Sequence, residues 1–270
     1  MGKTKNIGDF MKERLIDILK QNYGENYFEL RTVFGLPVSI HYNALIVSPV
    51  WNPADVFSNE SYKIQEVSQH KMISSYIVEY LGKKVAWIKC VPGSCNLIDV
   101  LGMSASLVFD KMIFVGAVGS LSRNTPIGEI CTPEVCVSGC MSEAYLLEDP
   151  LLWKPFQIVM PNDKAFVDRV CCIRGGFIKK SKVFCTDSIF CERSHLGFFA
   201  RYKAEYVEME TSTFYRIAEL FEIPSVALLI VSDNLMTGNP LVGMNSIQEI
   251  EYKKSYQVLL PDLLGKILQL

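Results

Sequence analysis

Two stretches of this chain carry residue types and spacings that suit chemistry. The first, MIFVGAVGSL at 112–121, reads as an apolar strand running into a turn that holds Gly116 and Gly119. Glycine has no Cβ, so a ligand can come close to the backbone there, and in α/β sheets ligands gather at the carboxyl ends of strands. The second, YVEMETSTFYRIAELFEIPSVALLIVSDN at 206–234, puts Glu208 and Glu210 at a helix start. The helix dipole and free amides favour carboxylates at such a start. The same stretch puts Ser232 and Asp233 directly after a buried apolar strand, at the ligand edge of a sheet. Taken singly, each piece also fits a plainer role: a tight turn, helix-start acids, a Ser-Asp turn. The glycine segment lacks the third glycine of a dinucleotide fingerprint and the Gly-Lys-Ser/Thr of a P-loop, so no cofactor is expected. Cys131, Cys136 and Cys140 lie close together, but not at zinc-ribbon or knuckle spacing, and the chain has only 3 histidines. The expectation is buried apolar thiols and no metal.

The elements that must position these residues follow from the apolar pattern. A first helix is expected over 9–22, with Asp9 as N-cap and Gly24 beyond its end. Strand-length apolar runs occur at 44–47, 85–91, 112–118, 156–160, 182–185 and 226–231. Several are apolar on both faces, as in strands covered by helices. Between them the clearest helical spacing is at 210–222, where Phe214, Ile217, Ala218 and Phe221 share one face and Pro224 marks the stop. Strand–helix alternation points to an α/β layered domain with a mainly parallel central sheet. With no repeat or linker, the simplest organisation is an N-terminal helical extension over 1–40 and a single domain over 41–270.

In combination the two stretches resemble the signature segments of the hexameric purine nucleoside phosphorylases, uridine phosphorylases and methylthioadenosine nucleosidases. In that superfamily a strand leads to a Gly-Thr/Ser-x-Gly turn, followed by Gly-Asp/Glu-Ile/Val. Here Gly116–Gly119 is followed by Pro126, Ile127, Gly128, Glu129 and Ile130. Later the family has Val-Glu-Met-Glu opening a helix and a strand ending in Ser-Asp, matched by Val207–Glu210 and Ser232–Asp233. TDSIF at 186–190 is similar to the family's Ser-x-Asp-x-Phe segment, and GKKVAWIKCVPGSCN at 82–96 to the strand and glycine turn before the first signature. The likeness runs from about residue 71 to 235. It implies a three-layer α/β phosphorylase/hydrolase-like fold with a twisted central mixed sheet flanked by helices. It also implies Asp233 as the general acid that protonates the base and Glu210 as the grip on the ribose hydroxyls. Met209 would pack beneath the sugar and Phe190 stack on the base, while Val118 and Gly119 line the pocket with Glu208 and Ser232. The partner implied is a small-molecule nucleoside, in a homo-oligomer (dimer or hexamer) whose subunits complete each other's sites.

The departures bear on the nucleophile. The family's phosphate-facing arginine before the glycine turn is Phe114 here, and its Ser or Thr within the turn is Ala117. The first strand ends in VSPVWNP at 47–53, without the family's glycine-rich loop and arginine. Lys71 stands where an arginine reaches phosphate in a neighbouring subunit's site, or is a surface charge. Loss of the clamp favours water, yet the nucleosidases' water-activating glutamate is also missing, and Asp55 is the nearest carboxylate. The uridine-specific Gln-x-Arg pair is absent, since Phe190 is followed by Cys191, Glu192 and Arg193, which favours a purine-type base. Glu210 and Asp233 together favour cleavage of the N-glycosidic bond by phosphorolysis or hydrolysis, with inorganic phosphate as the co-substrate in the first case. The missing anion groups leave open a nucleoside-binding homologue that has lost catalysis.

Composition bounds the rest. With 27 basic and 29 acidic side chains in 270 residues and no long run of either sign, no nucleic-acid partner is expected. No apolar run approaches the roughly 18–20 residues of a membrane span, and the N-terminus lacks the apolar core of a signal peptide. Nine cysteines without an export signal read as reduced thiols of a cytoplasmic protein.

Overall fold

The apolar runs fold as strands with both faces covered. The computed structural model describes residues 7–23, 35–57, 61–69, 72–80, 82–147, 149–173, 178–240 and 242–270. Helix α1 (Ile7–Tyr23) begins ahead of the expected 9–22, so Asp9 lies inside it, and Gly24 lies outside the described residues. Strands β1 (His41–Tyr42) and β2 (Ala44–Ser48) are followed by the short α2 (Pro53–Val56). Next come β3 (Tyr62–Gln69), β4 (Ser74–Tyr80), β5 (Lys83–Lys89), α3 (Ser94–Met103), β6 (Val108–Phe109), β7 (Met112–Ser120) and β8 (Ile130–Ser138). The second half supplies β9 (Gln157–Val159), α4 (Lys164–Cys171), β10 (Lys179–Cys185), α5 (Ile189–Ser194) and α6 (Leu196–Arg201). It closes with β11 (Tyr206–Glu208), α7 (Thr211–Leu220), β12 (Ser225–Asn234), α8 (Ser246–Lys254), a π-helical turn at Ser255–Leu259 and α9 (Leu260–Ile267).

Among the described residues ten strands form one mixed sheet in the order β11-β10-β8-β12-β7-β2-β5-β4-β3, with β9 on β8. Alternate residues of a strand face opposite sides, and here both sides are dry. Leu45, Val47, Phe114, Ala227, Leu229 and Val231 pack on one side with Leu97 and Leu101 of α3 and Phe214, Ile217 and Ala218 of α7. Ala44, Ile46, Ile113, Val115, Val226, Leu228 and Ile230 pack on the other with Val56, Phe166, Leu260 and Leu264. This is the three-layer α/β architecture expected. Leu15 and Ile16 of α1 rest against the first core. Among the described residues no helix is long and apolar enough to cross a membrane.

Two local expectations are corrected. The glycines at 116 and 119 lie within β7, not in a turn after it, because the strand runs on to Ser120. Their small size serves packing: a Cβ on Gly116 would stand 2.6 Å from the Phe114 ring. Likewise β12 continues through Ser232 and Asp233 to Asn234, with a register shift between Val231 and Asp233. Ser232 is the extra residue of that bulge, and bulges re-aim the side chains beside them.

Strand β11 pairs in parallel with β10 and antiparallel with β7, so β7, β12, β8, β10 and β11 pair around a closed ring. At its end Gly119 is opposite Asp233 on one side and Val207 on the other. The start of α7 is fixed by Glu143, which is fully buried. Its carboxylate accepts from Ser138 Oγ (2.7 Å), Thr213 Oγ1 (3.0 Å), Ser212 Oγ and Arg216 Nε. Arg216→Ala leaves this buried carboxylate without its counter-ion, and the expected cost is about 3–5 kcal/mol in urea unfolding. The double variant Glu143→Gln/Arg216→Met, which removes the charge as well, should lose clearly less. Equal losses in both would mean the ion pair does not hold α7.

Candidate active site

The ring's end opens into a cavity of about 390 Å³. Its walls come from distant parts of the chain: Pro49 and Val50 after β2, Pro92 after β5, Ala117–Gly119 of β7, Val207–Glu210, and Ser232 and Asp233. Ile189 and Glu192 of α5 and Tyr252 of α8 complete it.

Asp233 is 7% exposed and accepts a 2.8 Å hydrogen bond from Ser232 Oγ. Burial raises its pKa, while the Ser232 hydroxyl and the Arg193 charge pull it back. Gly119 makes room for it, since a Cβ there would lie 3.1 Å from the Asp233 carboxylate and 2.8 Å from Leu235. Glu210 is 6% exposed, and its Oε1 accepts from the Gly93 amide at 2.5 Å. Burial, then the Glu208 charge, push its pKa up to about 8. Glu208 directs Oε2 to the start of α7, accepting from the amides of Glu210 and Thr211, both at 2.8 Å, and from Thr211 Oγ1. Its Oε1 is buried without a hydrogen-bond partner. Burial raises this group too, opposed first by the Cys185 thiol and then by those donors.

Seven expected residues thus share one cavity: Val118, Gly119, Glu208, Met209, Glu210, Ser232 and Asp233. Phe190 does not line it; its ring is 89% exposed, and its neighbour Ile189 points inward instead. Lys71 lies outside the described residues. Asp55 is not brought to the cavity either, because its Oδ2 accepts from the Asn52 amide at 2.8 Å at the start of α2. Phe114 is fully buried, its ring 5.6 Å from that of Phe214. Among the described residues no lysine or arginine lines the cavity. Lys89 is turned away, donating to the carbonyls of Pro49 (2.8 Å) and Cys90 (2.9 Å). Cys131, Cys136 and Cys140 are buried thiols.

Sequence reasoning missed Pro49, Val50, Pro92, Ile189, Glu192 and Tyr252 as wall residues. Tyr252 sits on a mostly polar helix more than a hundred residues from the glycine segment, and packs on Trp51 and Tyr256. Only Glu192 carried a signal, a carboxylate two positions after the aromatic of the TDSIF segment.

The phosphorylase superfamily, as a sequence family, matches residues 45–254 of this chain. Purine nucleoside phosphorylases of the DeoD type from Anoxybacillus flavithermus and Geobacillus stearothermophilus are 35% identical over 65 residues. That match spans 24% of this chain and only 28% of those relatives. Among solved structures, futalosine hydrolase of Helicobacter pylori strain 26695 aligns with a TM-score of 0.64 at 15% identity, covering 86% of this chain and 100% of that one. The 5′-methylthioadenosine/S-adenosyl homocysteine nucleosidase of Campylobacter jejuni gives 0.62 at 12% identity, covering 84% and 98%. The fold is shared with both.

A buried carboxyl whose pKa is raised binds its proton more tightly folded than unfolded. Its contribution is therefore full below the unfolded value, near 4.5, and is lost as pH rises toward about 8. Glu210→Gln keeps the acceptor for Gly93 and removes the charge. Its melting temperature should exceed the parent's at pH 8 by roughly 2–4 °C per kcal/mol relieved, with the gap closing toward pH 5. A gap independent of pH would count against a buried, proton-holding Glu210.

Proposed function

The chain belongs to the phosphorylase superfamily, and from that premise we propose that it breaks the N-glycosidic bond of a purine-type nucleoside. The observation that carries this reading is the convergence of Asp233 and Glu210, both buried, on one cavity of about 390 Å³. That volume suits a small ligand.

In this reading Asp233, its pKa raised by burial, gives its proton to a ring nitrogen as the bond to C1′ lengthens. Protonation makes the base a better leaving group. Positive charge then grows on the sugar, and the carboxyl oxygens of Glu208 and Glu210 in the cavity wall offset it. Glu210, fixed by Gly93, accepts from the ribose hydroxyls. Water adds to C1′ and its spare proton restores Asp233. Water rather than phosphate is favoured by a wall with no basic side chain among the described residues and by Phe114 packed into the core. The names of the hydrolase and the nucleosidase that share the fold agree with it. No cofactor takes part, and phosphate is a co-substrate only under phosphorolysis. We read the chain as cytoplasmic, with neither nucleic acid nor membrane as partner, and as a homo-oligomer, dimer or hexamer, the last on the uncovered apolar side chains of Phe190, Tyr145 and Leu151.

A second reading, a nucleoside-binding homologue without turnover, is favoured by one observation: Asp55, the acid nearest the first long strand, is spent on capping α2. Base release from a nucleoside panel, with and without phosphate, separates the two. Phosphate-independent release is expected, and Asp233→Asn should slow it about 100-fold or more while ligand is retained. Release only with phosphate would overturn the choice of water, and undiminished turnover in Asp233→Asn the acid role. Binding without release from any nucleoside would establish the second reading.

A further inference from the structure

Among the described residues four carboxylates line the cavity; the reading above employs Asp233 and Glu210, Glu208 is spent on the start of α7, and Glu192 has no role. Helix α5 turns Glu192 inward on the same side as Ile189, three residues before it, while Phe190 and Arg193 face away or outward. Ser188 fixes the start of this turn, its Oγ accepting from the Phe190 amide. The other three acids are each tied to the protein: Asp233 to Ser232, Glu210 to Gly93, Glu208 to the start of α7. Among the described residues nothing donates a hydrogen bond to the Glu192 carboxyl. Glu208 lines the same wall.

A half-buried carboxyl with no donor and with like charges around it costs stability in the empty protein. Among the described residues the groups that face it are Asp233 of β12, Glu208 of β11, Glu210 before α7 and, on its own helix, the opposing charge of Arg193. Burial comes first and Asp233 second among the causes that push its pKa up to about 8. Glu192 and Asp233 line the same cavity, and Asp233 is the strongest like charge on Glu192.

We infer that Glu192 is a specificity-determining residue that meets the edge of the base and selects one presenting hydrogen-bond donors, an amino-purine, over one presenting only acceptors there. This rests on the nucleoside reading, in which Asp233 marks the base end. An amino group supplies the donor the carboxylate lacks. An oxygen acceptor in its place sets lone pair against lone pair once the carboxyl, whose pKa is about 8, has ionised.

The test uses the full chain and two bases that differ at one position, adenine and 6-methoxypurine, with binding read by calorimetry at about pH 9, where Glu192 is largely ionised. Release from the corresponding ribosides is followed in parallel. The parent is expected to bind adenine about tenfold more tightly than 6-methoxypurine. In Glu192→Gln the amide can turn either its oxygen or its nitrogen toward the base, so the preference should collapse to within about twofold. Glu192→Asp should keep part of it. A ratio unchanged in Glu192→Gln, or a parent with no amino preference, overturns the inference. The two readings fail separately: Glu192-dependent amino preference without release from any riboside upholds this inference and overturns cleavage. Release with no such preference does the reverse.

Discussion

Everything in this site depends on one residue having no side chain. Gly119 ends the central strand β7 between two neighbours, Asp233 of β12 and Val207 of β11. A methyl group there would press on the Asp233 carboxylate and on Leu235 at once. With hydrogen the only substituent, Asp233 folds back over the strand end. The Val207–Glu210 segment closes on the opposite edge. The bulge at Ser232 and the buried Glu143 cluster under α7 then set the angles at which the two acids arrive.

The cavity is electrostatically costly, and the fold holds it in that state. Asp233, Glu208, Glu210 and Glu192 all hold their protons more tightly than free carboxyls, chiefly because burial disfavours their charged forms. Such a cluster serves chemistry in which positive charge develops on the ligand, and opposes an incoming anion. Phe114 belongs to the same choice. Where the resembling families place a cation, this chain places an aromatic ring packed against Phe214, which strengthens the core and removes the anion's counter-charge in one substitution.

Much of the fold was legible because the strands that matter are apolar on both faces. Runs such as Ala44–Ser48 and Ser225–Asn234 can only be covered from two sides. The face of α7 was equally plain, with Phe214, Ile217, Ala218 and Phe221 all buried. Strand β8 was not legible, since Pro133 argues against a central strand. The sheet admits it beside a register shift, where Glu134 is passed over between the pairs Ser181–Pro133 and Lys182–Val135. The length of β7 and β12 was misjudged for a related reason. Gly119 and Ser232 look like turn residues locally, and only the neighbouring strands show why they sit inside the sheet. The acids of the site were legible through spaced motifs. Glu192, Tyr252 and Pro92 were not, because their membership depends on how far-separated segments meet.

The closed pairing of β7 with both β11 and β12 also bears on how the protein acquires its site. Gly119 meets partners about ninety and more than a hundred residues further along the chain. Contacts of such separation carry a large loop-closure entropy and form late in folding. During synthesis the glycine strand leaves the ribosome long before either acid-bearing segment exists. The chain therefore has no half-built site to offer a ligand: the cavity appears with the closing of the ring, and the ligand can stabilise only the finished fold.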